Sequence, residues 1–319
     1  MKRNISVDIL KCIAAFSITF SHMGKLCSPY EFIATGGTIG NALFFFCSGF
    51  TLFMKPMGRF DNWYKRRINR IYPTIFVIAI FSCLFFGENS NILSVISIKG
   101  YWFIQCIMIY YVLIWIVNRY ISQKIWLAYV ITAVASVLYF CYIDRPLGFS
   151  MYLGGYCKWF SFFLFMLLGA TLGSTNHSFK YELKTDGLKL IISFALYHII
   201  LFLSKNYEMF KDLQILSVIP LLLTTFYAYK VCNSYLLKKI YNNKCLGNFI
   251  NFIGGLCLEI YVVQNYLFTI SMNKIFPANI IIMYIIIFVV AYIIRCFSRF
   301  LSQTFKEESY NWQGIIKLI

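Results

Sequence analysis

The chain has 319 residues, of which 60% are hydrophobic and only 13% charged, with a mean hydropathy of +0.70. Soluble domains carry about a quarter charged residues, so the composition excludes a water-soluble globular protein and points to one embedded in a lipid bilayer. Lysine and arginine outnumber aspartate and glutamate by 29 to 12, for a net charge of +17; these cations are spread over many connections instead of one stripe, so no nucleic-acid partner is needed to explain them.

Apolar runs of about 17–25 residues cross ~30 Å of hydrocarbon as helices. They predict an all-α polytopic bundle with spans near 6–23, 37–54, 71–87, 101–118, 125–143, 151–173, 188–204, 213–229, 249–270 and 277–296. With the N-terminus in the cytoplasm, 21 of the 29 basic residues fall in inside segments and six outside (Lys25, Lys99, Arg145, Lys205, Lys211 and Lys274), while Lys11 and Lys158 lie within spans. That asymmetry predicts that both termini face the cytoplasm. The connections around 55–70, 174–187 and 230–248 and the tail after 296 are each shorter than the ~40 residues of an independent core, so 1–319 reads as one transmembrane domain with no appended soluble domain.

The first span, "DILKCIAAFSITFSHM", carries three ionisable groups. Asp8 and Lys11 interrupt its apolar run and no A-x-A-like site follows, so a retained helix is expected and not a cleaved signal peptide. At about 100° per residue, Lys11 and His22 return to within ~20° of one direction. Asn4, Val7, Asp8, Ala14, Ala15, Ile18, Thr19 and Ser21 share that face, and Ile9, Ile13, Phe16 and Phe20 point away. At 1.5 Å per residue the lysine and the histidine stand about 16 Å apart, His22 toward the outer surface. Charges at membrane depth cost about 2.5–3.5 kcal/mol on the insertion scale and usually face a bundle interior or a wet cavity. A plainer reading pairs Asp8 with Lys11 and leaves His22 at an ordinary interface; the first span alone does not choose.

The entrance to the third span, "WYKRRINRIYP", holds Lys65, Arg66, Arg67 and Arg70. As positive-inside anchors they need no other role. Arg66 and Arg70 are nevertheless spaced i,i+4 on one side of a helix start, and guanidinium groups bind phosphate through two parallel hydrogen bonds. Trp102, Tyr110 and Tyr111 suit an interface belt, packing or a sugar platform. Glu259, near the middle of the ninth span, should either pair with a cation such as Lys11 or line the cavity. Eight of eleven cysteines (Cys12, Cys47, Cys83, Cys106, Cys141, Cys157, Cys257 and Cys296) lie in spans, where a thiol behaves as a small hydrophobe. No spacing suggests a disulfide framework or zinc, and no metal is expected. Neither a Walker A sequence nor a dinucleotide glycine fingerprint is present, and no internal repeat is apparent.

"DILKCIAAFSITFSH" resembles the opening helix of the membrane-bound acyltransferase-3 family, in which a basic residue, ten residues and then histidine are common; Lys11 and His22 have that spacing, with lysine where arginine is commoner. "NALFFFCSGFTLFMK" is similar to the family's second helix, Ser48, Gly49 and Phe50 matching its SGF signature. The arginine-rich third entrance, "YWFIQCIMIYY" and "CLEIYVVQNYLF" resemble further family helices in order. Gln264 stands where a histidine is frequent.

The resemblance implies an enzyme that takes an acyl group, usually acetyl, from cytoplasmic acetyl-CoA and transfers it to a hydroxyl of a cell-surface polysaccharide or lipid-linked saccharide. It implies a multi-pass protein of the bacterial cytoplasmic membrane, with acyl-CoA, a glycan and the lipid bilayer as partners. On that basis His22 is the expected general base, since a sugar hydroxyl is a poor nucleophile and histidine titrates near neutrality; His177 falls in a predicted cytoplasmic loop and His198 in no matching motif. Lys11 is expected to position the donor, Arg66, Arg67 and Arg70 to dock its phosphates, and Ser48, Trp102, Tyr111, Glu259 and Gln264 to line the substrate cavity. The alternative from another class is a transporter or flippase of a lipid-linked saccharide, which inverted repeats and paired broken helices would support.

Overall fold

The computed structural model describes residues 4–54, 57–88, 91–174, 179–306 and 309–318; His177 lies outside them. The helices are α1 (Ile5–His22), α2 (Gly37–Phe53), α3 (Phe60–Phe86), the short α4 (Ile92–Ile96), α5 (Trp102–Tyr120), α6 (Ile125–Tyr139), α7 (Cys157–Ser174), α8 (Leu183–Asn206), α9 (Val218–Cys232), α10 (Tyr235–Asn242), α11 (Lys244–Gly255), α12 (Cys257–Leu267), α13 (Ala278–Thr304) and the short α14 (Trp312–Ile316). Among the described residues no strand forms and nine helical segments are long and apolar enough to cross a membrane. The expected all-α polytopic bundle is what the chain builds.

Several elements differ from the sequence expectation: α13, expected to end near 296, runs to Thr304, and three other differences bear on the site. The third span begins at Phe60 instead of 71, so Lys65, Arg66, Arg67 and Arg70 belong to the first turns of α3; the helix ends where Gly87 takes a left-handed φ of 66° and its N–H bonds to Ser82 O, a glycine stop. The run near 151–173 is helical only from Cys157, because the Asp144 carboxylate accepts the backbone N–H of Cys157 (2.7 Å) and of Tyr156 (3.4 Å) and so starts α7 there. Gly155 makes room: a Cβ at that position would strike the Asp144 carboxylate. The predicted ninth span, 249–270, is two helices, α11 and α12, bent by 72° at Leu256. Gly254 and Gly255, poor helix formers, precede the break, and the Arg295 guanidinium donates to the Gly255 carbonyl that it exposes.

The chain divides into two compact units. The first comprises the described residues of Met1–Leu10, Thr38–Met57 and Val112–Leu246. In it α6 packs on α7 and α8 on α9, the latter pair joined by a Lys230–Asp186 ion pair of 2.6 Å whose carboxylate is buried. Gly49 of α2 meets the backbone of Met166 and Ala170, and Gly169 and Gly173 of α7 meet that of Phe46 and Phe50, so closely that no Cβ fits at any of the three. Small residues four apart allow such contact between membrane helices. Asp8 is buried here and accepts a hydrogen bond from Tyr241 Oη at 3.3 Å.

The second unit comprises the described residues of Lys11–Gly37, Gly58–Tyr111 and Gly247–Ile319. Its core is α3, α12 and α13 in mutual contact. The greasy face of α1 lies on α13: Phe16 packs with Tyr284 and Phe288 at ring distances of 5.0 and 5.5 Å, and Tyr284 Oη donates to Phe16 O at 2.9 Å.

Candidate functional site

Nine of the ten residues proposed for chemistry or binding fall in the second unit, and hydrogen bonds fix which of them share an end. Asn279, at the start of α13, donates to Leu26 O, and Asn273 donates to Lys25 O, both at 2.8 Å. The turn after His22 therefore sits with the start of α13 and the segment that follows α12. Phe86, the last residue of α3, packs its ring 5.5 Å from that of Tyr266 near the end of α12. The ends of α1, α3 and α12 thus gather at one pole, the histidine end, and the first turns of α3 form the opposite, arginine end.

At the arginine end the side chain that turns inward is Arg67. Its guanidinium lies 5.0 Å from the Trp63 ring and 5.6 Å from the Tyr111 ring, and those rings meet edge to face at 5.9 Å and 89°. Trp63 and Tyr111 are buried, and Tyr64 Oη donates to Met108 O at 3.5 Å, which ties α3 to α5. A cation over aromatic faces gains about 0.5–2 kcal/mol depending on desolvation. Arg67 Nε is buried with no hydrogen-bond partner, so the cradle holds a charge whose donor capacity is unspent. Arg66 and Arg70, the pair singled out by spacing, are exposed on either side of it.

One to two turns farther along α3 is a polar layer. Thr74 Oγ1 donates to Glu259 Oε1 at 3.4 Å, Ser298 Oγ donates to Thr74 Oγ1 at 3.2 Å, and Arg295 Nη1 lies 3.8 Å from Glu259 Oε2. Arg70, one turn before Thr74, is within electrostatic reach of the same carboxylate. The cation paired with Glu259 is therefore Arg295 of α13, in place of the Lys11 suggested from sequence. Lys11 is half-buried at a nearby level, its carbonyl accepting from the Cys257 thiol at 3.7 Å.

Buried polar atoms without a hydrogen-bond partner, such as Arg67 Nε and Glu259 Oε2, continue toward the histidine end. Seven residues beyond the Lys11–Cys257 contact, about 10 Å at 1.5 Å per residue, α1 brings Ile18 and Thr19 to the level of Gln264 on α12. Gln264 is fully buried and neither of its amide atoms has a hydrogen-bond partner; the buried Thr19 hydroxyl and Asn279 Oδ1 also lack one. Unpaired buried groups are rare in folded proteins and mark places completed by water or a ligand. His22 closes α1 with an exposed side chain. Trp102, half-buried at the start of α5, meets Phe103 edge on at 6.0 Å.

The second unit thus aligns Arg67, Glu259, Gln264 and His22 along one axis. Ser48 belongs to the first unit, half-buried beside the tight glycine contact of α2 with α7. Arg295, Thr74 and Ser298 were not anticipated. Arg295 reads from sequence as a positive-inside anchor at the edge of the last span, and Thr74 and Ser298 as ordinary span residues; an arginine inside a helix that continues to Thr304 is the signal that marks it. Among the described residues no group of three or more His, Cys, Asp or Glu is placed to hold a metal ion.

The profile of the acyltransferase-3 family, an acyltransferase domain, matches residues 4–297. No curated protein and no solved structure matches the chain. The match runs from the start of α1 into α13 and so takes in the whole arginine-to-histidine axis. The chain belongs to the acyltransferase-3 family and is a multi-pass membrane acyltransferase.

Proposed function

We propose that this acyltransferase moves an acetyl group from cytoplasmic acetyl-CoA to a hydroxyl of a cell-surface polysaccharide or lipid-linked saccharide, working in the cytoplasmic membrane of a bacterium with its arginine end inward. The observation that carries the reading is the order of groups along the second unit: an aromatic-cradled arginine flanked by Arg66 and Arg70, then the Glu259–Arg295 layer, then unpaired buried polar groups, then His22. Coenzyme A is a polyanion with a planar base and a long amide-bearing arm. The exposed guanidinium groups suit its phosphates, the unspent Arg67 Nε and its rings suit the same end of the donor, and Gln264 and Thr19 offer hydrogen bonds farther in.

From Arg67 to Ser82 along α3 is about 22 Å at 1.5 Å per residue, so the donor's arm must thread the bundle to bring the thioester toward His22. There His22 takes the proton of the acceptor hydroxyl as general base. The hydroxyl oxygen attacks the thioester carbonyl carbon, the carbon–oxygen ester bond forms, the carbon–sulfur bond breaks, and the coenzyme A thiolate leaves and is protonated by the imidazolium. Lys11, about 16 Å back along α1, positions the donor's arm where it passes the polar layer. Transfer of labelled acetyl from acetyl-CoA into surface glycan, with the corresponding ester mass missing from a deletion strain, is the expected result; glycans identical in ester content between the two strains would remove the assignment.

A further inference from the structure

Between the polar layer and the histidine end the second unit encloses a partly open cavity of about 540 Å³, inside the roughly 300–1,000 Å³ usual for small-molecule sites. Its floor is Ile75 and Ile78 of α3, directly after Thr74, and Tyr266 of α12 closes one side. The opposite wall is the 91–101 segment, which folds back along α3: Tyr72 Oη donates to Ile96 O at 2.9 Å. Ile98, buried on this wall, takes a φ of 56°. A β-branched residue in the left-handed region is a strained outlier, and such strain collects where a site over-determines the backbone.

The groups facing the cavity are varied. Tyr101 and Tyr266 share a hydrogen bond of 3.1 Å between their phenols. Asn91 spends its amide oxygen on the Leu93 N–H at 3.2 Å, which leaves its NH₂ as donor. Glu88 supplies a carboxylate and Lys99 an ammonium. Apolar side chains (Ile75, Ile78, Ala79, Val95 and Ile98) alternate with two phenols, an amide, a carboxylate and an ammonium; an acyl chain wants an apolar lining throughout, and a polyphosphate wants cations alone. Such a lining suits the alternating hydroxyls and apolar faces of a sugar.

We propose that this cavity is the acceptor subsite and holds one sugar unit of the glycan beside the acyl-transfer passage. The assignment rests on the acyltransferase reading above and adds where the acceptor binds. Its position, one step beyond Thr74 and on the way to the pole that carries His22, is where an acceptor entering from the histidine end would meet a donor entering from the arginine end.

The test uses purified full-length protein, labelled acetyl-CoA, and glycan extracted from the deletion strain as acceptor. Ala79→Trp fills the cavity from α3, and Tyr266→Phe keeps its shape but removes one phenol. The expected result is at least a tenfold loss of transfer for Ala79→Trp and at least a fivefold rise in acceptor KM for Tyr266→Phe with kcat within twofold, coenzyme A affinity staying at the wild-type value in both. An unchanged acceptor KM in Tyr266→Phe, or a coenzyme A affinity that falls in step with transfer, overturns the subsite. If Ala79→Trp does not accumulate in the membrane, the isosteric Tyr266→Phe decides alone. Absence of any transfer by the wild-type protein is a different outcome: it overturns the glycan acyltransferase reading, and the subsite with it.

Discussion

Arg67 illustrates how much a single side chain can carry and how little of it a spacing rule conveys. The i,i+4 rule selects Arg66 and Arg70, but which arginine meets Tyr111 depends on how α3 is turned toward α5, and no local pattern encodes that azimuth. Replacing Arg67 by lysine keeps the charge and loses the flat guanidinium that stacks on Trp63 and Tyr111. Because a lost hydrogen bond to a charged group costs about 1.5–3 kcal/mol, coenzyme A affinity measured by calorimetry should drop by roughly ten- to 150-fold, and an unaltered affinity would take Arg67 out of the donor site. Alanine at both Arg66 and Arg70 should weaken donor binding more than acceptor binding. Glu259 makes a second residue-scale case. Arg295→Met strands a buried carboxylate, which costs up to about 3–5 kcal/mol, so its thermal midpoint should fall well below that of Glu259→Gln, and the double variant should recover part of the loss. Equal midpoints for the three proteins would mean that the pair at 3.8 Å does little for stability.

At the scale of elements, the glycines separate the legible from the hidden. The GATLG run at 169–173 has the small-xxx-small spacing of close membrane-helix packing, but that spacing does not name its partner; Gly49, in the same SGF run as Ser48, serves the contact from α2. Gly254 and Gly255 precede the break at Leu256, but an apolar stretch long enough to span hides a bend, and the distant Arg295 guanidinium on the Gly255 carbonyl explains how the freed backbone is satisfied. The two glycine sites should respond unequally to alanine. At Gly169 a Cβ has no room against the Phe46 backbone, and overpacking costs about 1–3 kcal/mol. At Gly255 the Cβ meets only Arg295 Nη1, at 3.6 Å. Gly169→Ala should lower the thermal midpoint of the detergent-solubilised protein and Gly255→Ala should change it much less; the reverse order would contradict the packing.

For the whole molecule, hydropathy revealed the class and nearly all the spans, because a 20-residue apolar run has few other uses. The ordered motifs brought the family into view. What they could not convey was the grouping of Lys11, Arg67, Glu259, Gln264 and His22 in one compact unit, since that follows from tertiary contacts such as Asn279 with Leu26 O and Phe86 with Tyr266. From the basic asymmetry we propose that the arginine end faces the cytoplasm. In a background without reactive native cysteines, Phe60→Cys should resist an impermeant thiol reagent in intact cells and react once the membrane is opened; labelling in intact cells would reverse the topology and with it the side from which the donor enters. The central claim is that acyl transfer occurs at the histidine end with His22 as general base. Its most direct test is the rate of acetyl transfer to glycan by His22→Gln protein present in the membrane at wild-type level. A loss of about 10²–10⁴-fold is predicted, and transfer at the wild-type rate would contradict it.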